Sequence, residues 1–512
     1  MSTTVLIVAG EAYPLVKTGG LADAVTGLAQ ALSRAGVQVR LLLPAYRGVL
    51  DKVRIDSSWP IGGMPGGSAR LVAGHCRITG LACLLLDNPA LFDRPGCYVD
   101  ETGHDYADNA RRYAALGHAA AAVAVGLPGL ERPDIVHAHD WHAGLAPLLV
   151  KSTGVRSVKT VLTIHNLAFQ GVFKPEQIAD LGLSAGMQDV AGLHARGRLN
   201  FLQSGILHAD RVTTVSHTYA REILTPQFGC GLQDALCARD EALVALPNGI
   251  DAELWNPASN VYLQPNGFSE NNLGNKARWK NHVQSAYGLV PDPQALLMVS
   301  CCRLTDQKMA DFTARMLPQA LAAHPSLQFV LIGKGERRFE EAFSDIAVSY
   351  PGRCGVYIGY DEALAHRLLA GADVLWHPSR FEPFGLTPRY AMRYGALPIV
   401  TAVGGLADSV HDPGRHAGET AMMHANGLIL DPQDSEGVDA VLSRATHLRA
   451  HDAVWRAMQR NAMRSAHGWS HAVMNYLELF AALTDGRVPS VPGHARQMRL
   501  GKSARSQSAI SA

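Results

Sequence analysis

Nine consecutive residues concentrate groups able to do chemistry: Ser379-Arg380-Phe381-Glu382-Pro383-Phe384-Gly385-Leu386-Thr387. They follow a mostly apolar run, Ala372 to Trp376, of the kind that forms a buried parallel strand. They precede a helical run, Pro388 to Tyr394, closed by Gly395. Thr387 is expected as the N-cap and Pro388 as the first helical residue, where a missing N–H costs nothing. The amides of Gly385, Leu386 and Thr387 then lie at a helix N-terminus, which favours an anion such as a diphosphate. Glu382, at the strand's C-terminal end, is placed to face a sugar carrying that diphosphate.

Other stretches offer complementary groups. Arg303-Leu304-Thr305-Asp306-Gln307-Lys308 sets two cations after a strand, where they could neutralise a leaving diphosphate. The plain alternative for both is a solvated loop. Lys17-Thr18-Gly19-Gly20-Leu21-Ala22-Asp23 joins the first strand to the first helix. Its glycines allow close backbone approach and Lys17 supplies a point charge for phosphate, although a bare Gly-Gly turn is as often structural. His137, His139 and His142 invite a metal reading, but no carboxylate or cysteine stands at a recognised spacing, so no metal site is assigned. By itself His165 reads as a satisfied core histidine.

The elements that must position these groups follow from periodicity. Val5 to Ala9 is a strand, Leu21, Val25, Leu28 and Leu32 recur at helical spacing, and Val37 to Leu43 is a second strand. That βαβ opening calls for a covered parallel sheet. Further strands end at Asp134–His142, at Thr163–Leu167 and at Arg211–Ser216, while Ile61–Gly67 is a Gly-rich loop or hairpin. Asn256 to Asn275 is rich in Asn, Pro and Gly and is expected as a linker. The rhythm then repeats, with strands at Leu296–Ser300, Gln328–Ile332, Val356–Ile358, Ala372–Trp376 and Leu397–Thr401. Gly333-Lys334-Gly335 is read as a turn bordering the nucleotide. The expected division is 1–255, 256–485 and a disordered, Gly-, Pro-, Ser- and Arg-rich tail, 486–512.

Bulk properties narrow the class. A chain of 512 residues has room for two domains, each with its own core. Lys and Arg number 46 against 45 Asp and Glu, so a net charge of +1 argues against a generalised nucleic-acid binder. Hydrophobic content of 47% with 18% charged residues suits a globular enzyme rather than a disordered chain. The eight cysteines show no regular framework and are expected as reduced thiols. No apolar run is long enough to span a bilayer and no signal core opens the chain, so a cytoplasmic protein without membrane partners is expected.

The string from Ser379 to Thr387, continued by Tyr390-Ala391-Met392-Arg393-Tyr394-Gly395, resembles the signature of bacterial glycogen synthases and plant starch synthases. Lys17 to Asp23, Arg303 to Lys308, Leu246-Pro247-Asn248-Gly249-Ile250-Asp251 and Gly404-Gly405-Leu406-Ala407-Asp408 are similar to other motifs of that family, in the same order. So are Leu91 to Gly96 and the group Asp108, Asn109 and Arg112, to which no role is given. Three positions depart from the family's habit: Phe384 for Cys, Pro388 for Gln and Met309 for Gly.

The resemblance implies the GT-B fold, an α/β architecture of two Rossmann-like domains facing an interdomain cleft. It also implies retaining glucosyl transfer from ADP-glucose to the non-reducing end of an α-1,4-glucan such as glycogen. On it, Glu382, His165, Arg303 and Lys308 are expected as catalytic residues. Lys17, Gly19, Gly20, Asp140, Asn166, Asn248, Gly385, Leu386 and Thr387 are expected to bind substrate. No Asp-x-Asp motif occurs, so protein cations are expected to do the work of a metal, with no cofactor. A front-face displacement is what the resemblance favours; the residues by themselves leave a covalent route open, and they do not tell ADP-glucose from UDP-glucose. A pyridoxal-phosphate glucan phosphorylase and a glucan-binding protein with a dead site are the competing readings. Intact Lys17, His165, Arg303, Lys308 and Glu382 weigh against the second.

Overall fold

Apolar runs buried on both faces can only be satisfied by a sheet covered on each side, and the computed structural model, which describes residues 3–488, contains two. The first half supplies β1 (Thr4–Val8), β2 (Gln38–Pro44), β3 (Val53–Ile61), β4 (Ala69–Cys76), β5 (Ala82–Asp87), β6 (Ile135–His139) and β7 (Lys159–Ile164). It continues with β8 (Val172–Phe173), β9 (His194–Ala195), β10 (Arg198–Asn200), β11 (Arg211–Thr214) and β12 (Leu243–Ala245). Nine of these form one sheet in the order β12-β11-β7-β6-β1-β2-β5-β4-β3, and β8-β10-β9 form a small separate one. Helix α1 (Gly20–Arg34) crosses between the parallel pair β1 and β2, the expected βαβ opening. Antiparallel pairing in the large sheet is confined to β3–β4 and β4–β5, and the Gly-rich 61–67 stretch is the turn of the β3–β4 hairpin.

The second sheet holds β13 (Leu296–Cys301), β14 (Leu327–Gly333), β15 (Cys354–Ile358), β16 (Val374–His377), β17 (Leu397–Thr401) and β18 (Leu428–Leu430). Its order is β15-β14-β13-β16-β17-β18 with every pair parallel, which adds β18 to the five strands read from periodicity. Both sheets aim strand C-terminal ends at the residues of interest. Asp140 follows β6, His165 follows β7, Arg303 lies just after β13 and Ser379 just after β16. Ligands bind at such ends in open α/β sheets.

The chain passes between the sheets twice, side by side. Ile250 forms a parallel bridge with Gly468, and a Cβ on Gly249 would lie 2.4 Å from the Cα of Trp469. The Asn248-Gly249 pair is therefore more than a turn marker: only glycine admits the returning strand. Helix α5 (Trp469–Leu483) then packs on α1, where a Cβ on Gly27 would meet the Trp469 indole at 1.9 Å.

Three readings of the sequence need correction. The 256–485 segment includes α5, yet Trp469, Val473, Tyr476 and Phe480 are buried in the core of the first sheet. Spacing reveals an apolar helical face but not which core covers it. Residues 256–275 are not a loose linker, because Leu263 and Phe268 are buried in the core of the second sheet. The tail does not begin at Gly486. Arg487 pairs with Asp134 at 3.0 Å, its carbonyl accepts from the Thr3 hydroxyl, and Val488 packs against the first core. The remainder of the expected tail, and the first two residues, lie outside the described residues.

Truncation after Asp485 removes those contacts, whereas truncation after Val488 keeps them. The shorter protein should melt at a measurably lower temperature than the longer; equal melting temperatures would show the Arg487 and Val488 contacts to be idle.

Candidate functional site

Glu382 is 7% exposed, and a carboxylate that deep must be compensated. Lys308, on the loop after β13, reaches across to form an ion pair with its Oε2. The ring Nε2 of His377 lies 3.3 Å from the same oxygen, and the Ser379 hydroxyl donates to it at 3.2 Å. Burial pushes the Glu382 carboxyl up; the Lys308 charge and the hydrogen bonds from His377 and Lys308 outweigh it and hold the group well below the usual carboxylate range. His377 is itself pushed down by burial and by Lys308, so it stays neutral. All three contacts converge on Oε2, and Oε1 takes no hydrogen bond from any described residue. The result is an ionised carboxylate with one anchored and one open oxygen.

This geometry changes the reading of Lys308. Its ammonium is committed to Glu382 rather than standing free for a diphosphate. Arg303 is exposed and has no hydrogen bond or ion pair among the described residues. Gln307 and Arg380 stitch the two loops together: Gln307 donates to the Phe381 carbonyl at 3.2 Å, and Arg380 N–H donates to the Gln307 carbonyl at 2.9 Å.

Helix α3 (Leu386–Arg393) begins two residues earlier than its sequence suggested. Gly385, at φ 84°, is the N-cap, in place of the expected Thr387. Pro388 is thus the third helical residue, still among the first four whose N–H groups have no helical acceptor. The amides of Gly385, Leu386 and Thr387 remain without acceptors among the described residues, so the anion-binding end survives the shift. Phe384 is buried against Arg389, its ring 4.2 Å from the guanidinium carbon. Burial pushes that guanidinium down to about 10. Met309 adopts φ 49°, a left-handed conformation that glycine takes without penalty and that costs another residue about 1–2 kcal/mol. The turn before Lys308's neighbour helix is therefore kept despite the departure.

The first sheet contributes the opposite wall. Glu11, which the sequence reading passed over, is buried and accepts from the amides of Thr18 and Gly19, at 2.5 and 3.1 Å, and from the Tyr98 hydroxyl at 3.0 Å. It fixes the Gly19-Gly20 loop against Leu386: a Cβ on Gly20 would lie 2.9 Å from that side chain, while a Cβ on Gly19 would meet nothing. Lys17 pairs with Asp23 at 2.9 Å. Asp140 sits at φ 53° and ψ −171°, a region all but reserved for glycine. Its carboxylate accepts from the His165 amide at 2.7 Å and the Asn166 amide at 3.4 Å, and burial pushes it up to about 7. His165 shares a ring-to-ring hydrogen bond with His139 at 2.8 Å, and burial pushes its imidazole down to about 3. His137 bonds Thr163 at 2.6 Å, so the histidines serve a polar core network. Asn248 is buried, its Oδ1 without a partner among the described residues. Among the described residues the one group of three able to hold a metal ion is Glu419, His447 and His451, none of them a site residue.

The structure thus joins Glu382, Lys308 and the Gly385–Thr387 amides in one cluster, and brings Gly20 to Leu386. Asp140, His165 and Asn166 form a second cluster. His377 and Glu11 were missed and Ser379 was given no role of its own; His377 and Ser379 stand shortly before Glu382 in sequence, and nothing local marked Glu11.

Residues 4–238 match the family model of the starch synthase catalytic domain, and residues 295–446 that of group 1 glycosyl transferases. The catalytic domain of starch synthase IV from Arabidopsis thaliana, solved bound to ADP and acarbose, superposes with a TM-score of 0.83 at 28% identity, covering 95% of this chain and all of that one. Sucrose-phosphate synthase from Thermosynechococcus elongatus shares the fold, with a TM-score of 0.57 at 17% identity over 94% of this chain and 99% of its own. The protein is a glycosyltransferase of the GT-B fold. Glycogen synthase of Bordetella petrii is 53% identical over 96% of this chain and 97% of its own length, and that of Ralstonia nicotianae 49% identical over 96% and 90%. The chain belongs to the glycogen synthase family.

A raised carboxyl stabilises the fold while it is protonated. Asp140 contributes fully below its unfolded value of about 3.9, and that contribution is lost as pH rises towards 7. Asp140→Asn keeps an acceptor for the His165 amide and abolishes the titration. Denaturant unfolding across this range should show the variant gaining on the wild type from pH 4 to 7, then running parallel. A constant difference would refute the assignment.

Proposed function

We propose that this glycosyltransferase moves the glucosyl unit of ADP-glucose to the 4-hydroxyl at the non-reducing end of an α-1,4-glucan, with retention, in the cytoplasm. The observation that carries the reading is Glu382 paired to Lys308 through one oxygen only, on the loop that leads into the acceptor-free amides at the start of α3. The ADP and acarbose in the matching starch synthase structure support a nucleotide-sugar donor and a glucan acceptor.

In this scheme the diphosphate lies on the amides of Gly385, Leu386 and Thr387 and against Arg303, with Lys17, Gly19 and Gly20 closing over it. Charge that develops on departing ADP is met by groups already in place. Positive character on the sugar is met by Glu382 and by the backbone carbonyl beside His165. Lys308, committed to Glu382, holds that carboxylate ionised. Asp140 and Asn166 fix the His165 loop, and Asn248 offers its free carbonyl oxygen to a hydroxyl. ADP release measured with glycogen and ADP-glucose, beside UDP-glucose, tests the assignment; no release with either would overturn it.

Arg303→Ala should slow transfer by roughly 10²–10³-fold, the scale for losing one donor to developing charge, and a near-normal rate would remove it from the leaving-group role. Glu382→Gln should lower turnover far more than ADP-glucose affinity, since the charge acts mainly in the transition state; wild-type turnover would sink its catalytic role. Lys308→Ala leaves Glu382 with burial less opposed, so its carboxyl moves up. The acid limb of the rate profile should therefore shift to higher pH, and an unmoved limb would refute the coupling.

A further inference from the structure

Helix α2 (His217–Glu222) belongs to the first half of the chain, yet it touches the catalytic loops of both sheets. Its N-cap, Ser216, is 1% exposed and donates from Oγ to the Pro383 carbonyl at 2.6 Å, one residue beyond Glu382. The same oxygen accepts from the Tyr219 amide at 3.3 Å, so the hydroxyl proton is directed to Pro383. Three residues on, the Tyr219 hydroxyl accepts from the Leu167 amide at 3.0 Å, next to Asn166 and two residues after His165. One short helix therefore holds the Glu382 loop by one side chain and the His165 loop by another.

A reciprocal pair of carboxylates docks that helix. Helix α4 (Gly404–Ser409) carries Asp408, whose Oδ2 accepts from the amides of His217 and Thr218 at 2.6 and 3.1 Å, and whose Oδ1 accepts from the Thr218 hydroxyl at 2.6 Å. In return Glu222 accepts from the Gly404 amide at 2.9 Å. The Gly405 amide then donates to the Glu382 carbonyl at 2.9 Å. A Cβ on Gly404 would lie 2.0 Å from that carbonyl oxygen and one on Gly405 2.2 Å from the Phe384 carbonyl oxygen, so the turn lies flush on the Glu382 loop. The peptide carbonyls of Glu382 and Pro383 are thus each fixed, one from α4 and one from α2.

We infer that Ser216, with the Asp408 clasp beneath it, is a positioning residue for the transfer: it sets Glu382 relative to the His165 loop without touching substrate. The inference rests on the catalytic role proposed for Glu382. Displacement of a reacting group by about 1 Å can cost 10²-fold in rate, which sets the scale expected.

The test is a double-mutant cycle on the full-length protein, reading turnover, ADP-glucose affinity and melting temperature. Ser216→Ala should lower turnover by roughly 10- to 100-fold while donor affinity and melting temperature stay near wild type. Ser216→Thr, which keeps the hydroxyl, should recover most of it. In a Glu382→Gln background the Ser216→Ala penalty should largely disappear, because the group it positions is already inactive. Asp408→Asn, which keeps one acceptor oxygen but not the charge, provides the same reading should Ser216→Ala fold poorly, and its penalty should likewise vanish with Glu382→Gln. Unchanged turnover in Ser216→Ala, or an equal penalty in both backgrounds, overturns the positioning role. Wild-type turnover in Glu382→Gln by itself overturns the catalytic reading, and this inference with it.

Discussion

A negative charge buried under the cleft is the constraint around which this molecule is arranged. Removing a carboxylate from water costs several kcal/mol unless cations and donors replace the solvent. For Glu382 the replacements come from Lys308 on another strand's loop, from His377 at the end of β16 and from Ser379 on its own loop. The ion pair therefore fixes the β13 loop against the β16 loop. Because all three partners use one oxygen, the stabilisation does not consume the other, which stays open.

The same economy governs how the sheets meet. Contacts between them are made by short polar side chains that reach backbone amides and carbonyls across the junction. Within each body glycine is present where a side chain would forbid close packing: Gly249 admits Trp469, Gly27 admits its indole, and Gly404 and Gly405 lie against the Glu382 loop. Helices α2 and α4 exchange carboxylates across the junction. Polar docking of this kind is usual where two domains of one chain meet.

Departures from the family's habitual residues are absorbed locally. Met309 holds the left-handed turn where glycine is customary, with its side chain buried. Phe384 lies beneath a guanidinium that has little water. Pro388 takes a helical position whose amide has no partner to lose. None of the three disturbs the amides of Gly385, Leu386 and Thr387 or the carboxylate of Glu382.

Local pattern was enough to read β1, β2, β6, β7, β11 and five of the six strands of the second sheet, the Glu382 loop, the Gly-Gly loop and the cationic stretch, because each is a run of residues whose periodicity or turn chemistry is set by its neighbours in sequence. The helix start at Gly385 was misplaced since Thr387-Pro388 is an equally good local signal. Only the tertiary structure could show that Lys308 is bound to Glu382, that Glu11 holds the Gly19 amide from beneath, that α5 returns to the first core and that Ser216 grips Pro383 from 167 residues away. These are long-range pairings of charge and backbone. They depend on which surfaces the two sheets bring together, and no spacing along the chain encodes that.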